Sequence, residues 1–199
     1  MSSQQQEIWQ SFKAGNWEAY TSLYEDHFRL LCNYGYKFTQ HSALIEDTIH
    51  DLFVKLWNNR QNLGEPASVK NYLFKAFRGL LFRKIKKEWS FSHLWPGEDE
   101  KYDFEIAYDQ HIILTEEHQA LQQRIAEAME TLSGRQREII YLRFFEALSY
   151  EEIADIMNIS VNSTYKLLYK TLDKLRATMG AAFVLWLIEL RTAVHVEMN

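Results

Sequence analysis

The sequence predicts an all-α protein made of two small helical domains that are joined by a flexible acidic linker. Three observations support this fold class. The 199 residues include 7 Gly and 2 Pro, which is typical of a helical protein with few turns. Apolar residues recur at intervals of three and four along most of the chain. A stretch dominated by Asp and Glu separates two segments rich in Lys and Arg, which favours two domains over one.

Composition narrows the class of protein further. With 47% hydrophobic and 15% aromatic residues, the chain has ample apolar surface for packed cores. The one cysteine, Cys32, excludes an internal disulfide and suits a reducing cytosol, so we expect a cytoplasmic protein. The first ten residues lack the basic start and apolar run of a signal peptide. The apolar run from Ala181 to Ile188 is shorter than the ~20 residues that cross a bilayer, so no membrane span is expected.

Two amphipathic segments open the chain. Residues 7–39 should form one or two helices whose core side is aromatic, with Trp17, Tyr20, Tyr24, Phe28 and Leu31 at helical spacing. Residues 42–58 predict a stronger helix. Its buried stripe consists of Ile45, Ile49, Leu52, Phe53 and Leu56.

A second face of residues 42–58 carries Asp47, His50, Asp51 and Val54. A metal site there would need a third and fourth ligand, and the neighbouring sequence supplies none at the required spacing. A solvated face and a docking surface for a basic partner both fit the pattern.

Residues 69–89 predict a helix with an apolar stripe at Val69, Leu73, Ala76, Phe77, Leu80 and Ile85. Its seven cations are Lys70, Lys75, Arg78, Arg83, Lys84, Lys86 and Lys87. Tyr72, Phe74, Phe82 and Trp89 are interleaved with them. Cations hold phosphates and aromatic faces stack on unpaired bases, so this pattern indicates binding to opened nucleic acid. The alternative is a surface helix whose lysines only solubilise it and whose aromatic residues lie in the core.

The linker is predicted at 91–117, where Pro96 and Gly97 precede a run of acidic residues. Two further helices are expected within 118–146. The first has a stripe of Leu121, Ile125, Ala128 and Met129, and the second begins with a capping box formed by Ser133 and Gln136. Beyond 180, an apolar extension at 181–199 fits either a terminal helix packed on its own domain or a partner-binding patch.

Residues 149–176 predict two helices joined by a tight turn. Ser149 and Glu152 form a capping box, Asn158 suits a left-handed backbone at the turn, and Ser160 can cap the second helix. That helix has an apolar stripe and an opposite polar face rich in lysine. The layout is that of a DNA-binding helix-turn-helix, and the alternative is an ordinary helical hairpin with a solvated lysine face.

Three segments in this order resemble bacterial RNA polymerase sigma factors of the small extracytoplasmic-function (ECF) group. They are IEDTIHDLFVKLW, VKNYLFKAFRGLLFRKIKK and LSGRQREIIYLRFFEALSYEEIADIMNISVNSTYKLLYKTLDKLR, and the resemblance covers roughly 17–90 and 118–176. It implies a non-enzymatic subunit that binds core RNA polymerase and directs it to particular promoters, without a metal or cofactor. Residues 1–90 would bind core polymerase and the minus-ten element, and 118–180 the minus-thirty-five element. An anti-sigma factor is a further partner that the resemblance allows.

The resemblance also implies site residues, none of them catalytic. Those for core polymerase are Asp47, His50, Asp51, Phe53, Val54 and Trp57. Those for minus-ten DNA are Lys70, Tyr72, Lys75, Arg78, Phe82, Arg83, Lys86 and Lys87. Those for minus-thirty-five DNA are Ser160, Asn162, Ser163, Tyr165, Lys166, Tyr169 and Lys170.

Within the segments that resemble the family, three residues differ from those that its members commonly have. Gly79 stands where members commonly have Asn, Thr164 where they have Val, and Tyr165 where they have Lys.

Two other functions compete with a sigma factor. One is a stand-alone dimeric helix-turn-helix regulator, with 1–90 as a sensor or dimerisation domain. The other is an enzyme acting on nucleic acid, against which the absence of an HExxH motif, a Gly-rich phosphate loop and an acid cluster for two metals counts.

Overall fold

The computed structural model of the chain describes residues 3–90 and 124–180, so the predicted linker at 91–117 and the extension at 181–199 lie outside the described residues. Within the described ranges the chain is helical and contains no strand, which confirms the all-α prediction. The helices are α1 (Ser3–Lys13), α2 (Trp17–Gly35), α3 (Ser42–Asn59), α4 (Val69–Ser90), α5 (described over 124–130), α6 (Gly134–Ile140), α7 (Tyr150–Met157) and α8 (Val161–Met179). The chain divides into two compact units, Met1–Pro96 and Gly97–Asn199.

Helix α1 joins the N-terminal core through two rings that the periodicity did not single out. Trp9 and Phe12 are both buried. The indole Nε1 of Trp9 donates a hydrogen bond to the carbonyl oxygen of Gly64 at 3.1 Å, and Lys13 forms an ion pair with Glu65 at 2.8 Å. Since Gly64 and Glu65 lie between α3 and α4, helix α1 braces the loop that joins those two helices.

Helix α2 buries a different stripe from the one expected. Its core side is formed by Ala19, Leu23, His27, Leu31 and Tyr34. Of the aromatic stripe predicted to be core, only Leu31 is buried, and Trp17 is 62% exposed. The correction has a packing cause, because Tyr20 and Tyr24 lie edge-on to the ring of Phe53 on α3, with centroids 6.1 and 5.0 Å apart. The aromatic row therefore flanks the core and continues onto the surface of α3.

Helices α3 and α4 pack against each other as their stripes predicted. All five residues of the α3 stripe are buried, and so are four of the six predicted for α4, Val69, Leu73, Phe77 and Leu80. The other two, Ala76 and Ile85, are half-buried at the edge of the core. Phe74, which the sequence grouped with base-stacking rings, is fully buried instead. Its ring stacks on that of Tyr34 with centroids 4.9 Å apart, so Phe74 is a core residue.

Two helical glycines offer a matched pair of substitutions with opposite expected signs. A Cβ at Gly35 would lie 2.8 Å from Cγ2 of Ile45 and 3.1 Å from Cζ of Phe77, whereas a Cβ at Gly79 would meet nothing within 4 Å. We expect Gly35→Ala to destabilise the protein by about 1–3 kcal/mol through overpacking. Gly79→Ala should stabilise it by up to ~1 kcal/mol, the helix preference of Ala over Gly. Urea unfolding of both variants checks the signs, and a stabilised Gly35→Ala would contradict the close approach of α2 to α3.

The C-terminal unit forms through the local signals that the sequence predicted. Capping boxes begin α6 at Ser133 and α7 at Ser149. Asn158 ends α7 in the left-handed conformation, with φ 53° and ψ 51°, and the side chain of Ser160 caps α8. Between α6 and α7 the backbone continues as a π-helical turn, Tyr141–Phe145. The buried side chains of α7 and α8 include Ile153, Ala154, Met157, Thr164, Leu168 and Leu175.

Candidate protein and nucleic-acid interface

The exposed side of α3 carries most of the residues expected to bind core polymerase. Asp47, His50, Asp51 and Val54 are exposed and Trp57 is half-buried, and we call these five residues the α3 face. Val54 is 52% exposed although it is apolar. The face thus combines two carboxylates with an uncovered aliphatic side chain, a composition suited to a partner that is both basic and apolar.

Phe53 is corrected from a contact residue to a core residue. It is 1% exposed, and the rings of Tyr20 and Tyr24 pack edge-on against its ring. A side chain so placed supports the α3 face from beneath and reaches no partner.

The exposed ring of Trp17 borders the α3 face, although the sequence predicted Trp17 to lie in the core. We call Trp17 and Trp57 together the aromatic edge. Trp17 packs edge-on against Trp57 with ring centroids 5.4 Å apart, and the guanidinium of Arg60 lies 4.4 Å from the Trp57 centroid. Because Trp17 stays largely exposed, the edge extends the apolar part of the face onto α2.

An ion pair joins α3 to α4. The Nζ of Lys84 lies 2.7 Å from Oδ2 of Asp51. The hydrogen bond from Lys84 lowers the pKa of the Asp51 carboxyl, so this carboxylate is charged at neutral pH. The predicted docking residue Asp51 is therefore already engaged within the protein, and Lys84 is the cation of α4 that engages it.

The exposed side of α4 brings six predicted minus-ten residues together. Lys75, Arg78, Phe82 and Lys86 follow one another at spacings of three, four and four, which places them on one side of the helix. We define the α4 face as these four residues with Arg83 and Lys87. The guanidinium of Arg78 lies 4.5 Å from the ring centroid of Phe82, and Nε of Arg83 donates to the carbonyl oxygen of Gly79 at 3.0 Å. The face is cationic with one half-buried ring.

Two predicted minus-ten residues do not lie in that row. The Nζ of Lys70 lies 5.7 Å from the centroid of the buried Phe74 ring, and its charge contributes to the lowered pKa of His27, which burial dominates. Tyr72 is half-buried beside Trp9, with centroids 5.6 Å apart, and burial raises the pKa of its hydroxyl. Tyr72 lines a cavity of about 210 Å³ between α3 and α4 together with Lys55, Asn59 and Arg83.

All seven residues predicted to contact minus-thirty-five DNA are exposed at α8 or its cap. Two of them also build the helix start, since Oγ of Ser160 accepts from the backbone nitrogen of Ser163 at 3.1 Å and the two hydroxyl oxygens lie 2.8 Å apart. The five that point outward beyond the cap are Asn162, Tyr165, Lys166, Tyr169 and Lys170, which we call the α8 face.

Sequence reasoning missed Tyr150, which contacts the α8 face, and Arg143, which contacts Tyr150. The ring of Tyr150 stacks on Tyr165 with centroids 4.0 Å apart, and the guanidinium of Arg143 lies 4.8 Å from the Tyr150 centroid. Arg143 lies within the two helices that the sequence predicts at 118–146. A cation within an apolar helical run was the available signal, but its partner could be found only from the fold.

Two absences hold for residues 3–90 and 124–180, the ranges that the structure describes. No group of three His, Cys, Asp or Glu residues there could hold a metal ion. No helix within them is long and apolar enough to cross a membrane.

Sequence comparison matches both units to one family. The Sigma-70 region 2 profile matches residues 23–91, and the Sigma-70 region 4 profile matches residues 122–175. RNA polymerase sigma factor YlaC of Bacillus subtilis is 24% identical over 170 residues, covering 79% of this chain and 90% of that protein. RNA polymerase sigma factor SigV of the same organism is 27% identical over 153 residues, covering 76% and 83%.

Solved structures share the fold at low sequence identity. CnrH, solved in complex with the cytosolic domain of CnrY, gives a TM-score of 0.58 at 18% identity, over 88% of this chain and 97% of that one. The sigma factor RpoE, solved with the anti-sigma factor NepR from Bartonella quintana, gives 0.53 at 18% identity, over 77% and 91%.

Proposed function

This chain belongs to the sigma-70 family, in its ECF group, and from that premise we propose which of its surfaces carry out promoter-specific transcription initiation. Sigma factors bind core RNA polymerase and promoter DNA, and direct the polymerase to start transcription. The single observation that supports the assignment best is the occurrence, in the family's order, of an acidic face on α3, a cationic face on α4 and a polar face on α8.

The α3 face is the proposed docking surface for core polymerase. Asp47, His50 and Asp51 supply charge and hydrogen-bonding groups, while Val54 and the half-buried Trp57 supply apolar area. Interfaces commonly pair an apolar centre with a charged rim of complementary sign, so a basic helical partner fits this face.

The α4 face is the proposed contact for the opened minus-ten element. Lys75, Arg83, Lys86 and Lys87 are exposed and can neutralise phosphates. The ring of Phe82 packs against Arg78 and Phe38 and is half-buried, and its exposed part is the proposed contact for an unpaired base. Lys70 and Tyr72 would act indirectly, through the packing of α4 and the cavity beside it.

The α8 face is the proposed reader of the minus-thirty-five element. A recognition helix places its N-terminal half in the major groove, where Asn162 and Lys166 can hydrogen-bond to base edges. The chain has a net charge of −5, so DNA binding should be weak until polymerase adds its own contacts. A stand-alone dimeric regulator would bind duplex DNA tightly without polymerase.

We also propose a role for each segment of the chain and the compartment in which the protein acts. Residues 1–90 form the polymerase and minus-ten domain, 91–117 the linker, 118–180 the minus-thirty-five domain and 181–199 an extension. The division between the two compact units, after Pro96, falls inside the proposed linker and supports this scheme. Sigma factors are non-enzymatic, so this chain would supply binding and no catalysis. It would act in the cytoplasm, where its polymerase and DNA are found.

Run-off transcription tests the proposal. Purified core polymerase is mixed with the full chain and a library of randomised upstream DNA, and the transcribed templates are sequenced. A sigma factor yields transcripts from templates that share two spaced elements. Gel shifts on duplex DNA without polymerase are the companion measurement. Tight, sequence-specific binding there, together with no transcription, would contradict the proposal.

Lys166→Ala should weaken promoter use if Lys166 contacts a base edge. The expected loss is about 1–3 kcal/mol, and it should vanish on templates changed at one base pair of the upstream element. Arg176→Ala is the matched control, because it removes an exposed cation about 15 Å further along α8. Run-off rates on a set of single-base template variants make the comparison. An equal loss on every template would show that Lys166 binds phosphate instead.

A further inference from the structure

The recognition helix carries an exposed ring whose position is set by the other helix of the motif. Tyr165 is 48% exposed, yet its ring stacks on Tyr150 with centroids 4.0 Å apart and planes 25° apart. Tyr150 is the first residue of α7, so the two rings come from different helices. Stacking of this kind limits the side-chain torsions of both residues, because neither ring can turn without losing the contact.

Arg143 extends the stack to a third element. Its guanidinium carbon lies 4.8 Å from the Tyr150 centroid, within the range of a cation–π contact. Its Nη1 also donates to the carbonyl oxygen of Leu148 at 2.7 Å. The π-helical turn that contains Arg143 therefore braces Tyr150, and Tyr150 braces Tyr165. The ring of Tyr165 reaches the α8 face in a defined orientation.

The groove beside that ring is lined by apolar side chains and one cation. An open groove of about 400 Å³ is lined by Tyr150, Tyr165, Lys166, Leu168, Tyr169 and Leu172. Lys166 and Lys170 on the same helix suit an anionic partner, and Tyr169 adds a second ring that is 77% exposed. Duplex DNA matches both properties, since its backbone is anionic and its major groove exposes one apolar group, the 5-methyl of thymine.

Resting on the proposed function, we propose that Tyr165 is a specificity-determining residue whose braced ring contacts the 5-methyl group of a thymine in the upstream promoter element. Tyr150 and Arg143 are positioning residues for that contact. The methyl-bearing edge of a base pair then lies against the rim of the groove. Through this contact Tyr165 distinguishes thymine from bases that lack the methyl group. No hydrogen bond from the Tyr165 hydroxyl is required.

Replacing single thymines by uracil tests the contact, because the exchange removes the methyl group and leaves base pairing unchanged. Run-off rates are measured with core polymerase and the full chain at limiting concentration, on the promoter selected by the library experiment. At one upstream position we expect uracil to lower the rate about fourfold, the effect of one buried methyl group. Tyr165→Ala should lower the rate on the thymine template by a similar factor and make it insensitive to uracil. Tyr165→Phe should keep full sensitivity.

The positioning residues are tested by the ratio of the run-off rate on the thymine template to that on the uracil template. Tyr150→Leu retains apolar bulk but loses the stack, and Arg143→Gln loses the cation. Both should bring the ratio close to one while leaving the rate on the uracil template unchanged, which a merely structural loss would not do. Circular dichroism confirms that each variant is folded. Tyr169→Ala tests the other exposed ring of the α8 face and should keep the dependence on the methyl group. Arg176→Ala is the matched control, since Arg176 is exposed on the same helix outside the α8 face and its loss should preserve the ratio.

The outcomes separate this inference from the function on which it rests. Active transcription with equal rates on thymine and uracil at every upstream position would overturn the methyl contact and leave the sigma-factor assignment intact. Uracil sensitivity that persists in Tyr165→Ala, or disappears only in Tyr169→Ala, would overturn the assignment to Tyr165. Absence of transcription from every template would instead be a failure of the proposed function.

Discussion

Reversing the charges of Asp47 and Asp51 together should abolish binding to core RNA polymerase and leave the helical content of the protein intact. Both carboxylates are exposed on α3, so neither is needed to fill the core. Like charges placed opposite each other across an interface cost several kcal/mol, which corresponds to a loss of affinity of more than about 100-fold. Co-purification of Asp47→Arg/Asp51→Arg with core polymerase measures the loss, and circular dichroism checks the fold.

The ion pair between Asp51 and Lys84 requires its own control. Lys84→Ala removes the pair at 2.7 Å but keeps both carboxylates, so its polymerase binding should remain. An exposed pair of this kind contributes roughly 0–1 kcal/mol to stability, too little to unfold the unit. Normal co-purification of the double charge reversal would remove the α3 face from the proposal. Loss of binding in Lys84→Ala would mean that the ion pair, and not the charge of the face, is what the polymerase needs.

Phe77→Ala should destabilise the N-terminal unit by about 3–5 kcal/mol, the cost of emptying the space of a buried phenylalanine. Phe77 is fully buried on α4, next to Tyr34 and close to Gly35 of α2. Its deletion therefore removes contacts between α4 and α2. Urea unfolding of the full chain, followed by tryptophan fluorescence, reports on this unit because the Trp residues are concentrated in 1–96.

Phe82→Ala is the matched control on the same helix. Phe82 is half-buried and packs edge-on to Phe38 with centroids 5.1 Å apart. Its loss should cost about 1 kcal/mol, a typical value for a single substitution. It should also reduce run-off transcription, since Phe82 belongs to the α4 face. Equal destabilisation by the two variants would contradict the difference in burial on which the α4 face is defined.

The helix-turn-helix could be predicted in detail because its signals are local. A capping box joins residues three apart, and Asn158 adopts its left-handed conformation through its own backbone preference. Most of the buried residues of α3 and α4 could be predicted as well. Each helix packs on one core, so the helical spacing of its apolar residues indicates the buried side. The cation-rich pattern of α4 likewise marked the side of the helix that is exposed.

Helix α2 shows where periodicity stops being sufficient. The row of Trp17, Tyr20 and Tyr24 predicts an aromatic core side, but a second row that includes Ala19 and Leu23 also keeps helical spacing. The choice depends on the neighbours. Tyr34 stacks on the buried ring of Phe74 on α4, whereas Trp17 contacts the half-buried Trp57 at the surface. Both sides satisfy the same helical spacing, so only packing could distinguish them.

By itself the sequence determined the helical class, the helix caps, the buried stripes of α3 and α4, and the sides of α4 and α8 that face outward, because each depends on residues within a few positions of one another. The tertiary structure alone decided that Asp51 is paired with Lys84, that Phe53 and Phe74 are core, and that Tyr150 and Arg143 brace Tyr165. These contacts join separate elements. Their existence depends on how helices approach one another, which the free energy of packing the whole unit sets and no local pattern records.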